Sequence, residues 1–291
     1  MSEGGVTISK GRADYLAYEL RKQINKPLSV LDGAGEQMSF YARTIAWIPR
    51  TIVHYYREVL RILAEVAFGT GGLAVIAGTV GVMVLMSGFT GVVVGMQGYA
   101  ALQNLGAQAL TGFLSAYVNT REVAPLVAGL ALSATVGCGF TAQLGAMRIS
   151  EEIDALEVMA INSMSYLVST RLIGGVIAII PLYSVAVLMS FLASRFYTIF
   201  INGQSAGVYD HYFSTFLRPS DLVWSFAQAI LMGLVVMGIH CYHGYNAAGG
   251  PAGVGVAVGR AVRSSLIAVV IVCLLVSLAI YGTSGNLNLA G

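Results

Sequence analysis

The chain has 291 residues, of which 56% are hydrophobic and only 10% charged, with a formal net charge of +2. Soluble domains carry roughly 25% charged residues, so an ordinary soluble protein is excluded and an all-α integral membrane protein is predicted. The small net charge argues for neither a nucleic-acid partner nor a strongly acidic substrate. The three cysteines, Cys138, Cys241 and Cys273, sit in apolar stretches with neither a disulfide framework nor a zinc spacing.

Residues 1–35 read as a polar arm. Its start, MSEGGVTISKGRADYLAYELRKQ, has no apolar core behind its basic residues and no small-residue cleavage site, so removal as a secretory signal peptide is not expected. Over 36–68, Ile45, Ile48, Ile52, Tyr55, Val59, Ile62 and Val66 recur at steps of three and four, which is one face of a helix. Arg43, Arg50, Arg57 and Arg61 fall roughly opposite that face, and Trp47, Tyr55 and Tyr56 accompany them. The pattern predicts an amphipathic helix lying in the membrane interface, with a soluble helix packed on a partner as the alternative. Pro49 is expected to kink this helix or to start a new segment.

Beyond it, uncharged runs cover Val66–Thr120, Val123–Met147, Leu172–Ser194, Leu222–Gly259 and Ser264 to the last residue. A spanning helix needs about 20 apolar residues, so each run can cross at least once. Residues 100–119 contain Gln103, Asn104, Gln108, Ser115 and Asn119, a density that suits an outer surface or a cavity lining better than lipid. Five spans follow, near 73–98, 122–147, 166–197, 221–243 and 263–283. Glycine is frequent in them, including Gly91-x-x-x-Gly95, as close helix packing in membranes requires. The glycine-rich stretch before the last span lacks a following G-K-[S/T], so it is not a phosphate-cradling loop.

Nine of the sixteen Lys and Arg residues precede residue 66. With the N-terminus cytoplasmic, Arg148, Arg171, Arg260 and Arg263 join them inside, against Arg121, Arg195 and Arg218 outside, which follows the positive-inside rule. The C-terminus is then external.

Between the second and third spans the sequence RISEEIDALEVMAINSM concentrates four of the fourteen acids, Glu151, Glu152, Asp154 and Glu157, within seven residues. Ser150 is expected to cap a short helix over about 150–160, with Glu151 and Glu152 in its first turn, where the helix dipole favours negative charge. Ile149, Ile153, Leu156 and Ala160 form a narrow apolar stripe. Such a helix is too short to persist alone, and a cytoplasmic protein can grip it; a solvated loop helix is the plainer alternative. At the opposite end, Arg121 and Glu122 are neighbouring opposite charges at the edge of the second span. They form either an interface anchor or, with Gln97, Tyr99 and Gln103, a polar lip on a lipid path. His240 and His243 lack a convergent carboxylate and read as helix-end histidines, with no metal or catalytic set assigned.

The stretch GCGFTAQLGAMRISEEIDALEVMAINSMSYLVSTRLIGG resembles the central motif of the MlaE/YrbE family, permeases of ABC-type lipid transporters that work with MCE-domain proteins. TREVAPLVAGLALSATVG and GLVVMGIHCYHGYNAAGGPAGVG resemble flanking regions, so the similarity covers roughly 40–285, most like the actinobacterial YrbE branch. The resemblance implies a permease domain over 69–291 in the inner (plasma) membrane and a coupling helix whose Glu151, Glu152, Ile153, Asp154, Ala155, Leu156 and Glu157 dock on a separate ATPase. ATP and Mg would be bound by that partner, leaving no cofactor in this chain. It further implies a dimer, expected here as a heterodimer with a second YrbE-type permease, lipid passing between the first, second and fifth spans, and external MCE proteins. Where relatives commonly carry Arg and Glu, this chain has Thr135 and Gln143. The competing functions are a membrane enzyme acting on lipids, for which no G-x-S-x-G, H-E-x-x-H or paired intramembrane carboxylates are found, and a passive envelope scaffold.

Overall fold

The computed structural model describes Gly33 and residues 35–68 and 73–282. Nearly all of the polar arm assigned to 1–35, and the side chain of Val66, lie outside the described residues. The chain divides after Ala46 into two units, and the residues of the first are helical over 35–46.

In the second unit every described element is helical. Residues 47–54 form α1. There follow α2 (Tyr56–Phe68), α3 (Leu73–Gln103), α4 (Thr111–Val118), α5 (Ala124–Leu132), α6 (Cys138–Ile149), α7 (Glu152–Val158), α8 (Thr170–Phe196), α9 (Ala206–Phe216), α10 (Pro219–Tyr245) and α11 (Gly250–Tyr281). A 3-10 turn leads into α4, and two π turns fuse α4, α5 and α6 into one run. Among the described residues, five stretches are long and apolar enough to cross a membrane: Thr79–Gln103, Gln108–Ile149, Met164–Ile201, Pro219–Tyr245 and Gly250–Ile280. This is the all-α, five-span membrane protein that the uncharged runs predict. The spans alternate in direction, so α7 and the 246–249 turn share one end of the bundle. The 104–107 turn and α9 share the other.

Interior packing relies on side-chain shape, because lipid tails are as apolar as leucine and provide little hydrophobic drive between spans. Leu132, Ile179, Met232, Val236 and Met237 are fully buried at the centre. The first and third spans approach along a paired seam: Gly91 faces the backbone of Ser190 and Gly95 faces Ser194. Both motifs repeat at four residues, so small residues on each helix meet in register over two turns.

The second span is interrupted by two π turns, Asn119–Val123 and Ser133–Gly137. Pro125 explains the first. It has no amide to offer the Arg121 carbonyl, and just before it the turn widens so that the Ala124 amide donates to the carbonyl of Asn119 rather than to that of Thr120, which accepts from Ser225.

Three local expectations are corrected. The helical run around Pro49 is unbroken there and is interrupted at Tyr55. Of the anticipated apolar face, Val59 and Ile62 are buried but Ile52 is 53% exposed. The buried side packs on the third span, with Ile62 over Gly174, Tyr55 edge-on to Tyr166 at 5.3 Å, and Thr51 Oγ1 2.9 Å from Ser165 Oγ. Finally, the polar residues after 107 do not form a surface segment. Thr111, Ser115 and Asn119 are buried within the helical run, where Gly112 lies against the backbone of Tyr209 and Phe213 in α9.

Candidate functional site

At the α7 end, the chain leaves α6 and re-enters α7 through a left-handed residue, Glu151 (φ 59°), and leaves again through another, Ala160 (φ 60°). Ser150 is therefore not the cap of α7. It terminates α6, its hydroxyl donating to the Ala146 carbonyl and to Glu152 Oε1 at 2.9 Å. A non-glycine residue in that conformation costs about 1–2 kcal/mol, so contacts must hold α7 across the bundle end. Ile153 is fully buried. Arg148 pairs with Asp154 at 2.7 Å. Glu157 accepts a hydrogen bond from Ser163 at 2.7 Å, and the Tyr245 hydroxyl lies 2.9 Å from the same serine. These bonds fasten α7 to the second, third and fourth spans.

The outward side of α7 is left with Glu151, Glu152, Ala155, and two apolar side chains, Val158 at 89% and Met159 at 61% exposure. Of the seven residues assigned to docking, Ile153 faces inward, while Asp154 and Glu157 have partners within the chain. Val158 and Met159, outside those seven, are strongly exposed. In the sequence they directly follow the last acid, Glu157, outside the stripe that helical spacing picks out.

In the bundle interior, His240 is fully buried rather than lying at a helix end. Its Nε2 is 3.0 Å from Ser133 Oγ, which lies 2.7 Å from Ser265 Oγ, and its Nδ1 is 2.8 Å from Thr141 Oγ1. The ring rests on Gly137, where a Cβ would come within 2.6 Å of its Cδ2. One imidazole thus ties together the second, fourth and fifth spans, with every hydroxyl around it partnered. No group of three metal-ligating side chains is found among the described residues.

At the α9 end, a pocket of about 560 Å³ opens between the second span and α11. Tyr117, Arg121, Glu122 and Leu126 line one wall and Val270, Cys273, Leu274, Ser277 and Leu278 the other. The π turn places Arg121 and Glu122 on this wall. Arg121 binds Asp221 of α10 through Nη2 and Nε at 2.8 and 3.2 Å, and its guanidinium sits 4.1 Å from the Tyr117 ring centroid. Glu122 accepts a hydrogen bond from the Cys273 thiol at 3.3 Å. Gln97 and Gln103 are exposed and Tyr99 half-buried near the end of α3, and none of the three is among the pocket's lining residues. Nearby, Arg195 grips Asp210 of α9 with two bonds of 2.8 Å, and this guanidinium holds the aspartate carboxyl below its ordinary range.

The sequence profile described as Permease MlaE matches residues 70–279, a stretch that contains the first four spans, α7, all but the last residue of the fifth span, and every pocket-lining residue except Gly282. The chain belongs to the MlaE permease family. Relatives include a probable ABC transporter permease protein of Rickettsia bellii, 27% identical over 60% of this chain and 67% of its own length. Another, from Rickettsia prowazekii, is 30% identical over 52% of this chain and 59% of its own. The chloroplastic protein trigalactosyldiacylglycerol 1 of Arabidopsis thaliana is 26% identical over 62% of this chain and 52% of its own. The matches thus span between about half and two thirds of these relatives' lengths.

In this permease Thr135 turns its hydroxyl back onto the Ala131 carbonyl at 2.7 Å. Gln143 is half-buried in α6. The partner of Arg121 was also missed from sequence: Asp221 lies 100 residues away, and no local spacing links the two.

Proposed function

We propose that this permease is the membrane subunit of an ATP-driven, Mce-type lipid transporter of the inner (plasma) membrane, with α7 as the coupling helix gripped by a separate cytoplasmic ATPase. The observation that carries this is the contrast within α7. Its base is bonded to three spans, while Val158 and Met159 project outward beside Glu151 and Glu152. Exposed apolar side chains rimmed by charge are what a partner's groove buries. Force applied there reaches the spans through the Arg148–Asp154 and Glu157–Ser163 contacts.

In this arrangement ATP and Mg belong to the partner and no catalytic residue to this chain. The N-terminus faces the cytoplasm and the C-terminus the exterior, as the thirteen-to-three distribution of basic residues favours. A second YrbE-type permease completes a heterodimer, MCE-domain proteins receive or deliver the substrate outside, and a fatty acid, sterol or phospholipid passes by the pocket carrying Arg121 and Glu122.

The test is the double substitution Val158→Asp/Met159→Asp in the co-expressed complex. The permease is expected to insert normally while losing the co-purifying ATPase and lipid transport. Full ATPase occupancy with normal transport would overturn the assignment.

A further inference from the structure

Resting on the lipid-permease reading and narrowing its three substrate classes to one, we propose that the pocket between the second span and α11 selects amphiphiles whose head is uncharged or cationic and donates a hydrogen bond, as a sterol hydroxyl does, and that it turns away the anionic heads of fatty acids and phospholipids. The argument is one of charge. Arg121 is the pocket's only positive lining residue, and its guanidinium is committed to Asp221, with both side chains only 15% exposed. Glu122 remains: exposed to the pocket, it has no salt-bridge partner among the described residues and accepts only the weak Cys273 thiol. Asp221, outside the lining, neutralises Arg121, so the uncompensated charge left facing the pocket is the single negative one of Glu122. The remaining lining is uncharged and mostly aliphatic, with Leu126, Leu274 and Leu278 prominent.

A carboxylate against apolar walls seeks donors, and a hydroxyl or ammonium head supplies them while its tail covers the leucines. A carboxylate or phosphate head would meet Glu122 as a like charge, and to recruit Arg121 it would have to displace Asp221.

Four probes share one C18 tail and differ only in the head: oleyl alcohol, oleylamine, methyl oleate and oleate. Each competes for the purified full-length protein in maltoside micelles against a radiolabelled oleyl alcohol tracer, at mildly alkaline pH so that oleate is ionised. Oleyl alcohol and oleylamine are expected to bind about tenfold more tightly than oleate, with methyl oleate weakened for want of a donor, because a hydrogen bond to a charged acceptor is worth about a factor of ten or more. Glu122→Gln should collapse the differences, bringing oleate level with the alcohol. The wild-type ranking stands as a test even if that variant does not fold. Oleate binding as tightly as oleyl alcohol to the wild type, or an unchanged ranking in Glu122→Gln, overturns the head-group selectivity and leaves the lipid pocket standing. Saturable binding of none of the four overturns the lipid reading itself.

Discussion

Adding a single methyl group at Gly91 tests whether the seam between the first and third spans is set by backbone proximity. A Cβ on Gly91 would stand 2.8 Å from Ser190 Cα and 3.0 Å from its carbonyl carbon, whereas ordinary contact begins near 3.4 Å. The obstacle is backbone, so no rotamer change relieves it, and α3 and α8 must part by about 0.5–1 Å. A gap of that size forfeits a quarter to a half of each dispersion contact along the seam, and overpacking of this kind costs about 1–3 kcal/mol. Gly95→Ala is milder, its nearest neighbours being Ser194 O at 3.0 Å and Oγ at 3.1 Å. Gly88, on the same helix, has no atom within 4 Å of its Cβ position, so Gly88→Ala is the internal control and should stay within about 0.5 kcal/mol of wild type. Equilibrium unfolding in mixed micelles, followed by circular dichroism as denaturing detergent is titrated in, measures all three. Equal stability of Gly88→Ala and Gly91→Ala would refute the reasoning.

Two further predictions address the polar contacts. Gly137→Ala should destabilise by driving a methyl into the His240 ring, and the His240→Ala background should recover part of that loss; thermal unfolding of the four-member cycle reads a coupling of about 0.5–3 kcal/mol. Arg195 depresses the Asp210 carboxyl, so this pair adds stability above the ordinary carboxylate pKa and loses it as pH falls through the depressed value. Both side chains are nearly half exposed, which limits the effect to about 0–1 kcal/mol. Asp210→Asn should therefore melt slightly below wild type at neutral pH and draw level with it only once the pH has fallen below the depressed carboxyl value.

The five spans were legible because uncharged runs of that length have one economical use. Polarity inside a span was harder to interpret. Ser115 and Asn119 read as surface residues because hydropathy does not distinguish a side chain facing water from one facing another helix, and neighbouring helices, α9 over α4 and α10 over the Asn119 turn, supply the cover. The burial of His240 is illegible for the same reason: its partners Ser133, Thr141 and Ser265 come from two other spans. The acidic island is plain in the sequence, but the side of it that faces outward is not. Helical spacing assumes that the helix begins where a serine could cap it, and the left-handed turns at Glu151 and Ala160 reorient the segment so that Ile153 goes in while Val158 and Met159 go out.

The His240 cluster also bears on the order in which the chain is made. Ser133 emerges in the second span, but His240 lies 107 residues later and Ser265 132 residues later. At typical synthesis rates that interval is on the order of ten seconds. Throughout it the most polar of the five spans has none of its final partners from the fourth and fifth. The second span must therefore wait beside something that tolerates hydroxyl groups, and the bundle can lock only when its last helix arrives.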